Sequence, residues 1–326
     1  MQLQDIQKLF IDCAIKVDPQ GQTEIERELS KRNEYYQSLP DSQKAFFDKE
    51  SLTNPYYDSK ILYGAPETEV KNILVGIDVK APELLLAKQL IKDGRKIDLV
   101  CAHHPAGRAL SVFSKVGFVQ INILARLGLP VSVAENLITP KINDILNQTH
   151  AANCQNPTDA ARLLNIPFMC AHTVADNQVS HFLQKNLDDI KPLYLCEIID
   201  FLNSQPEYNY ARSIYQEPFI LLGTNKSRCG KIFVDMTGGF EGPIEIYKYL
   251  AQAGVSTIVA MCLSKEAQEK AQKNGLNVVI AGHISSDNLG VNLMLDELEK
   301  KDEFEIIEFS GFKRFKRNYG DTRRHS

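Results

Sequence analysis

His103 and His104 stand side by side at the end of the largely apolar run Ile97-Asp98-Leu99-Val100-Cys101-Ala102, with Pro105 directly behind them. That pattern predicts a buried strand delivering two imidazoles to a sheet edge. Adjacent side chains on an extended chain point to opposite faces, so the pair suits two different ions better than a single one. Two further segments repeat the theme. Phe168-Met169-Cys170-Ala171-His172-Thr173-Val174-Ala175-Asp176 and Val278-Val279-Ile280-Ala281-Gly282-His283-Ile284-Ser285-Ser286-Asp287 each pass from apolar residues into a histidine, with an aspartate four residues on. Where a strand gives way to a helix, an i, i+4 pair shares one face of the first turn. Neutral imidazole and carboxylate together suit Zn2+, Fe2+, Mn2+ or Ni2+, and two ions about 3.5 to 4 Å apart are a recurrent hydrolytic arrangement. Asp176 and Asp287 are the carboxylates available to bridge them.

Taken singly, each fragment reads more readily as a structural histidine satisfied by hydrogen bonds. The grouping changes the balance, because four of the seven histidines, His103, His104, His172 and His283, fall at three strand ends, while His150, His181 and His325 do not. Cys101 shares the face of His103 at period two, but a small buried hydrophobe is its stronger reading. The sequence Gly238-Gly239-Phe240-Glu241-Gly242-Pro243 links a strand to a helix start and lacks a GxGxxG order, so a tight turn is favoured over an anion site.

The order His-His-Pro after a strand, then His-Thr-x-x-Asp, then Gly-His-x-x-Ser-acidic-x-x-Gly resembles the NIF-three-like family, whose members are often called GTP cyclohydrolase type-two homologues. The matching pieces are Ala102 to Pro105, His172 to Asp176, and Gly282 to Gly290, within a stretch from about Asn72 to Phe312. The resemblance implies a dinuclear centre of two divalent ions held by His103, His104, Asp176, His283 and Asp287, with His172 orienting Asp176 or binding weakly. It also implies two intertwined α/β halves and a closed homo-oligomer, a hexameric ring of dimers. The implied activity is metal-dependent hydrolysis of a small phosphorylated or nucleotide-like substrate; the alternative is a non-catalytic metal-binding adaptor or metallochaperone. Two departures stand out. The family's last ligand is usually Glu, one methylene longer than Asp287, and this chain carries an extra stretch near 134–165, read as two inserted helices with Thr139-Pro140 and Asn156-Pro157 as helix starts.

Around these motifs the chain divides into four parts. Residues 1–58 are polar, charged and helical in period, with Leu9-Phe10, Cys13-Ala14 and Val17 as the apolar face of an N-terminal helical extension. Residues 59–205 form a first α/β half that includes the insertion, and 206–311 form a second half, with strands and helices alternating in each as α/β layers require. Residues 312–326 are a basic tail. Its six positive charges leave 31 basic and 40 acidic residues in the rest of the chain, so a solvated tail, or one docked on an acidic body, is favoured over a nucleic-acid grip. A net charge of -4 argues against nucleic-acid partners generally. No apolar run approaches the roughly 18 residues of a membrane span, and the start lacks a signal-peptide pattern, so a cytoplasmic location is expected. The seven cysteines are scattered and odd in number, as reduced thiols would be.

Overall fold

A computed structural model describes residues 1–317. Its strands are β1 (Ile61–Tyr63), β2 (Asn72–Gly76), β3 (Leu99–Ala102), β4 (Phe168–Cys170), β5 (Phe219–Leu222), β6 (Lys231–Asp235), β7 (Val255–Ala260), β8 (Asn277–Ile280) and β9 (Glu305–Glu308). They form one sheet in the order β1-β4-β3-β2-β9 and a second in the order β5-β8-β7-β6. Each is parallel apart from one antiparallel edge strand, β1 or β5. Helices connect the parallel strands and cover both faces, which explains why β3 has no polar side. Leu99 and Cys101 enter one core cluster, while Val100 and Ala102 enter another on the opposite face. The α/β class follows, with the two halves sharing elements. Strand β9, from the C-terminal half, returns to pair with β2 of the first sheet.

The helix Leu3–Lys16 is part of the first core rather than an appendage. It buries Leu3, Ile6, Phe10, Ile11 and Ala14 at helical spacing against Ile73, Val75 and the two long helices described below. A buried network ties the same segment down: Tyr56 donates from its hydroxyl to Asp18 (2.9 Å), and Asn177 donates to the same carboxylate (2.8 Å).

The stretch near 134–165 does contain two helices, Val131–Ala151 and Asn156–Leu164. Asn156-Pro157 opens the second, as expected, but Thr139-Pro140 does not open a helix. Pro140 lies inside the first, between the buried residues Ala134, Ile138, Ile142 and Ile145. A proline there costs about 3 kcal/mol in isolation. Burial of one apolar stripe on both sides of it, against the helix Phe118–Arg126, offsets that cost.

The described part of the basic tail is ordered on an acidic surface. Phe312 is buried in the first core, Arg314 reaches Asp296 and Glu299, and Arg317 forks onto the buried carboxylate of Glu207 (2.8 and 2.6 Å). The solvated-tail expectation therefore fails over these residues because the acidic body supplies charge-assisted partners. Arg323, Arg324 and His325 lie outside the described residues. All seven cysteines are free, and among the described residues no helix is long and apolar enough to cross a membrane.

The helices Thr173–Ile190 and His283–Glu299 cross in close contact at the junction of the two halves. The crossing depends on Gly290, where an added Cβ would lie 2.4 Å from the Ala175 carbonyl oxygen. Backbone cannot yield as a flexible side chain can. Gly290→Ala is therefore expected to destabilise the protein by about 1–3 kcal/mol, as overpacking does, and to weaken metal binding at the helix starts. Denaturant unfolding with and without metal checks both, and an unchanged midpoint would show that the helices separate freely.

Candidate metal centre

Three chain segments bring the histidines and aspartates together. Strand β3 ends at Ala102, and the backbone bends through His103 and His104, whose amides donate to Gly76 and Ile77 carbonyls (both 2.9 Å). His172 precedes the first turn of the helix Thr173–Ile190, placing Asp176 one turn along. Gly282, at φ 104°, turns the chain from β8 into the helix His283–Glu299, which carries Asp287 on its second turn.

The ligand atoms converge. His103 Nε2 lies 3.5 Å from Asp176 Oδ1 and 3.5 Å from Asp287 Oδ1, and His104 Nε2 lies 3.4 Å from Asp287 Oδ2. Two compact groups result, His103 with His172 and Asp176, and His103 with His104 and Asp287. His103 belongs to both groups and His104 to one of them. Both residues lie beyond the end of the strand, in the bend that follows it. His172 stands inside a compact group, whereas His283 sits at the mouth, half exposed, with Nε2 3.6 Å from Asp287 Oδ2. Cys101 belongs to the core, and burial pushes its thiol up to about 12.

Tautomer chemistry shows what the groups are built to hold. The Ala171 carbonyl can only accept, so His103 Nδ1–H donates to it (3.1 Å) and the Nε2 lone pair faces the carboxylates. His104 Nδ1 donates likewise to Asp78 (2.9 Å), and His172 Nδ1 to Asp58 (2.7 Å). Each imidazole is held from behind and presents its other nitrogen to the centre, the arrangement that orients metal-binding histidines. His103 Nε2, Asp176 Oδ1 and both Asp287 oxygens are buried without a hydrogen-bond partner. Lone pairs facing lone pairs repel, and buried unpaired acceptors are costly, unless a cation lies between them. The residues present therefore fit a metal ion.

Without a metal ion, protons supply part of the missing positive charge. Burial pushes the Asp176 carboxyl well above the carboxylate range, with His103 opposing and Asp287 and Asp58 adding to the rise. Burial also works against a charged His104, but Asp287 and Asp78 outweigh it and raise His104 to about 9. Asp287 is held far below its ordinary value, because its histidine neighbours outweigh its burial. Both Asp287 oxygens point at imidazole nitrogens, so the shorter side chain reaches between the histidines. Asp58 and Asp78 are site residues that sequence reasoning missed. They lie outside the three motifs, and only folding brings them behind His172 and His104.

A cleft opens beside the centre, lined by His172, Asp176, His283 and Asp287 on one side. The turn at Gly239 closes over it: a Cβ there would lie 2.3 Å from His172 Cε1. This is the tight turn expected at Gly238 to Pro243, with positive φ at both Gly238 and Gly239.

The arrangement of sheets and strand ends can be set against solved structures. A NIF3 superfamily protein from Sphaerobacter thermophilus superposes with a TM-score of 0.70 over 93% of this chain and 97% of that one, at 24% identity. The chain has the NIF3 fold. Looser matches include reduced HcgD from Methanocaldococcus jannaschii (TM-score 0.44, 18% identity, 82% and 94% of the two chains) and a Bacillus cereus protein related to NIF3 (0.38, 13%, 77% and 90%). No family model matches the sequence, and no curated protein does. Within this NIF3 fold the histidines and aspartates gather at the ends of β3, β4 and β8, where the two halves meet.

Two substitutions separate ligand from support. Asp287→Asn should abolish most metal binding, because it removes a charge from between the histidines. Asp58→Asn should weaken it roughly 10- to 100-fold, the usual cost of losing the group that orients a metal-binding histidine. Metal titration of both variants measures the difference, and wild-type affinity in Asp287→Asn would remove Asp287 from the site.

Proposed function

We propose that the chain is a NIF-three-like protein that binds two divalent ions, Zn, Fe, Mn or Ni, and hydrolyses a small phosphorylated or nucleotide-like substrate. The observation that carries this reading is the convergence of unpartnered lone pairs on one buried point beside an open cleft. When bound, the ions supply Lewis-acid polarisation and an activated water at neutral pH. The chain's own part is positional. Asp176 and Asp287 would supply negative charge to the ions, while His103, His104 and His172 are oriented by Ala171, Asp78 and Asp58. Phe113 packs edge-on against His172 (5.5 Å) and against Phe240 (6.0 Å), and so limits water on one side of the centre. The cleft favours turnover of a substrate over simple metal trafficking, since a carrier has no use for a walled pocket beside its metal.

Protein purified without chelator should carry about two divalent ions per chain and cleave GTP or a generic phosphoester. His103→Ala should lose both metal and turnover, because His103 belongs to both ligand groups. Full metal loading with no turnover across the panel would favour the adaptor or metallochaperone instead, and a metal-free protein indifferent to chelation would remove the centre altogether.

The same reading includes a closed homo-oligomer, a hexameric ring of dimers, in keeping with the usual symmetry of soluble assemblies. Light scattering should then return a mass several times the 36.7 kDa of one chain. A monomer mass would refute the assembly without touching the metal centre.

A further inference from the structure

The cleft beside the metal ligands has a second wall to which the hydrolysis outlined above gives no role. It is built by the end of β6 and the turn that follows, and by the end of β7. Its charged groups are of one sign: Asp235 and Glu241 line it, and no lysine or arginine is among its lining residues. Glu241 is held in place, with Oε1 accepting from the Ser264 amide (2.7 Å). The Asp235 carboxylate has no hydrogen-bond or ion-pair partner among the described residues. Burial pushes Asp235 up to about 6, and the Glu241 charge adds to the rise. Between the two, Thr237 lines the same wall at 5% exposure, and its hydroxyl oxygen has no partner. The ring of Phe240 completes this side.

Those groups form a set. A buried hydroxyl and a carboxylate without donors are costly as they stand, so an occupant that donates hydrogen bonds is favoured. A carboxylate accepts two parallel N–H groups well, and an aromatic face accepts a flat or cationic partner. A phosphate would meet two carboxylates and no cation at this end. Once the ligand groups hold metal, the cleft has an electrophilic end and an acceptor end, which would orient a substrate lying along it.

We propose that Asp235, Thr237 and Glu241, beside the ring of Phe240, form a subsite for a planar cationic or N–H-rich group, an amidine or an amino-substituted nitrogen heterocycle, held next to the metal centre. The subsite rests on the hydrolase reading for its purpose but not for its detection, because binding can be read without turnover. Within a nucleotide-like substrate it would take the nitrogenous ring and leave phosphate outside this end of the cleft.

Titration calorimetry on the full, metal-loaded chain tests it with benzamidine as probe and benzoate as its charge-reversed counterpart. Benzamidine should bind the wild type, and Asp235→Asn and Glu241→Gln should each weaken it roughly tenfold or more, the usual consequence of losing a charge-assisted hydrogen bond. Benzoate, whatever its affinity for the metals, should lose nothing in either variant, and metal content should stay at the wild-type level. If Asp235→Asn sheds metal or fails to fold, Glu241→Gln, half-buried on the turn, decides the matter. No benzamidine binding by the wild type at millimolar concentration, or equal affinity in a metal-replete Glu241→Gln protein, would overturn the subsite. Failure of the hydrolase reading looks different: benzamidine still binds and responds to the substitutions while no substrate turns over.

Discussion

The close crossing of the helices Thr173–Ile190 and His283–Glu299 at Gly290 sets what the centre can be. Asp176 and Asp287 sit near the starts of these two helices, so the distance between the carboxylates is the distance between the helices. Glycine lets the second helix rest against the Ala175 carbonyl, which no residue with a Cβ could do without displacing backbone. At that separation both aspartates come within 3.5 Å of His103 Nε2. Asp287 presents one oxygen to His103 and the other to His104.

Bringing the carboxylates and imidazole lone pairs so close stores a cost in the metal-free protein. Two carboxylates are buried around the same imidazole, and burial together with the Asp287 and Asp58 charges makes Asp176 take up a proton more readily than an ordinary carboxyl. Metal binding and folding stability are therefore coupled, since a cation at this point relieves a repulsion that folding itself creates. The supporting groups matter for the same reason. His172 is turned towards the centre by Asp58, which also accepts from the Thr173 hydroxyl (2.7 Å). Asp58 closes the segment expected to be an N-terminal extension, and that segment's buried Asp18, Tyr56 and Asn177 network anchors it to the first core. What looked peripheral in the chain stands directly behind a ligand in space.

The second sheet contributes a different property. It adds the wall of the cleft, with the turn at Gly239 against His172, Phe240 against Phe113, and the carboxylates of Asp235 and Glu241 beyond them. The first sheet supplies the ligands His103, His104 and His172, and the second supplies the surroundings that an occupant would meet, with Asp287 arriving on the helix that leads from one to the other. This division explains why both halves are needed for one site.

Much of the site was legible because its chemistry is local. His103 and His104 behind an apolar strand, and His–x3–Asp at two strand-to-helix transitions, are short-range patterns whose backbone geometry follows from neighbouring residues, and β3 falls inside the apolar run that ends at Ala102. The α/β class was readable for the same reason, since strands buried on both faces show as continuous apolar runs. What depends on long-range contact was not readable. Pro140 looked like a helix start because propensity is local, while the burial that carries the helix through it comes from partners elsewhere. Strands β1, β5 and β9 are edge strands of three or four residues, too short to print a period. Asp58 and Asp78 carry no motif, and only the packing of distant segments brings them behind His172 and His104. The sequence determined which groups could bind a cation, because donor chemistry belongs to each residue; the tertiary structure alone decided which of them share a point, because that distance is set by helix packing at Gly290.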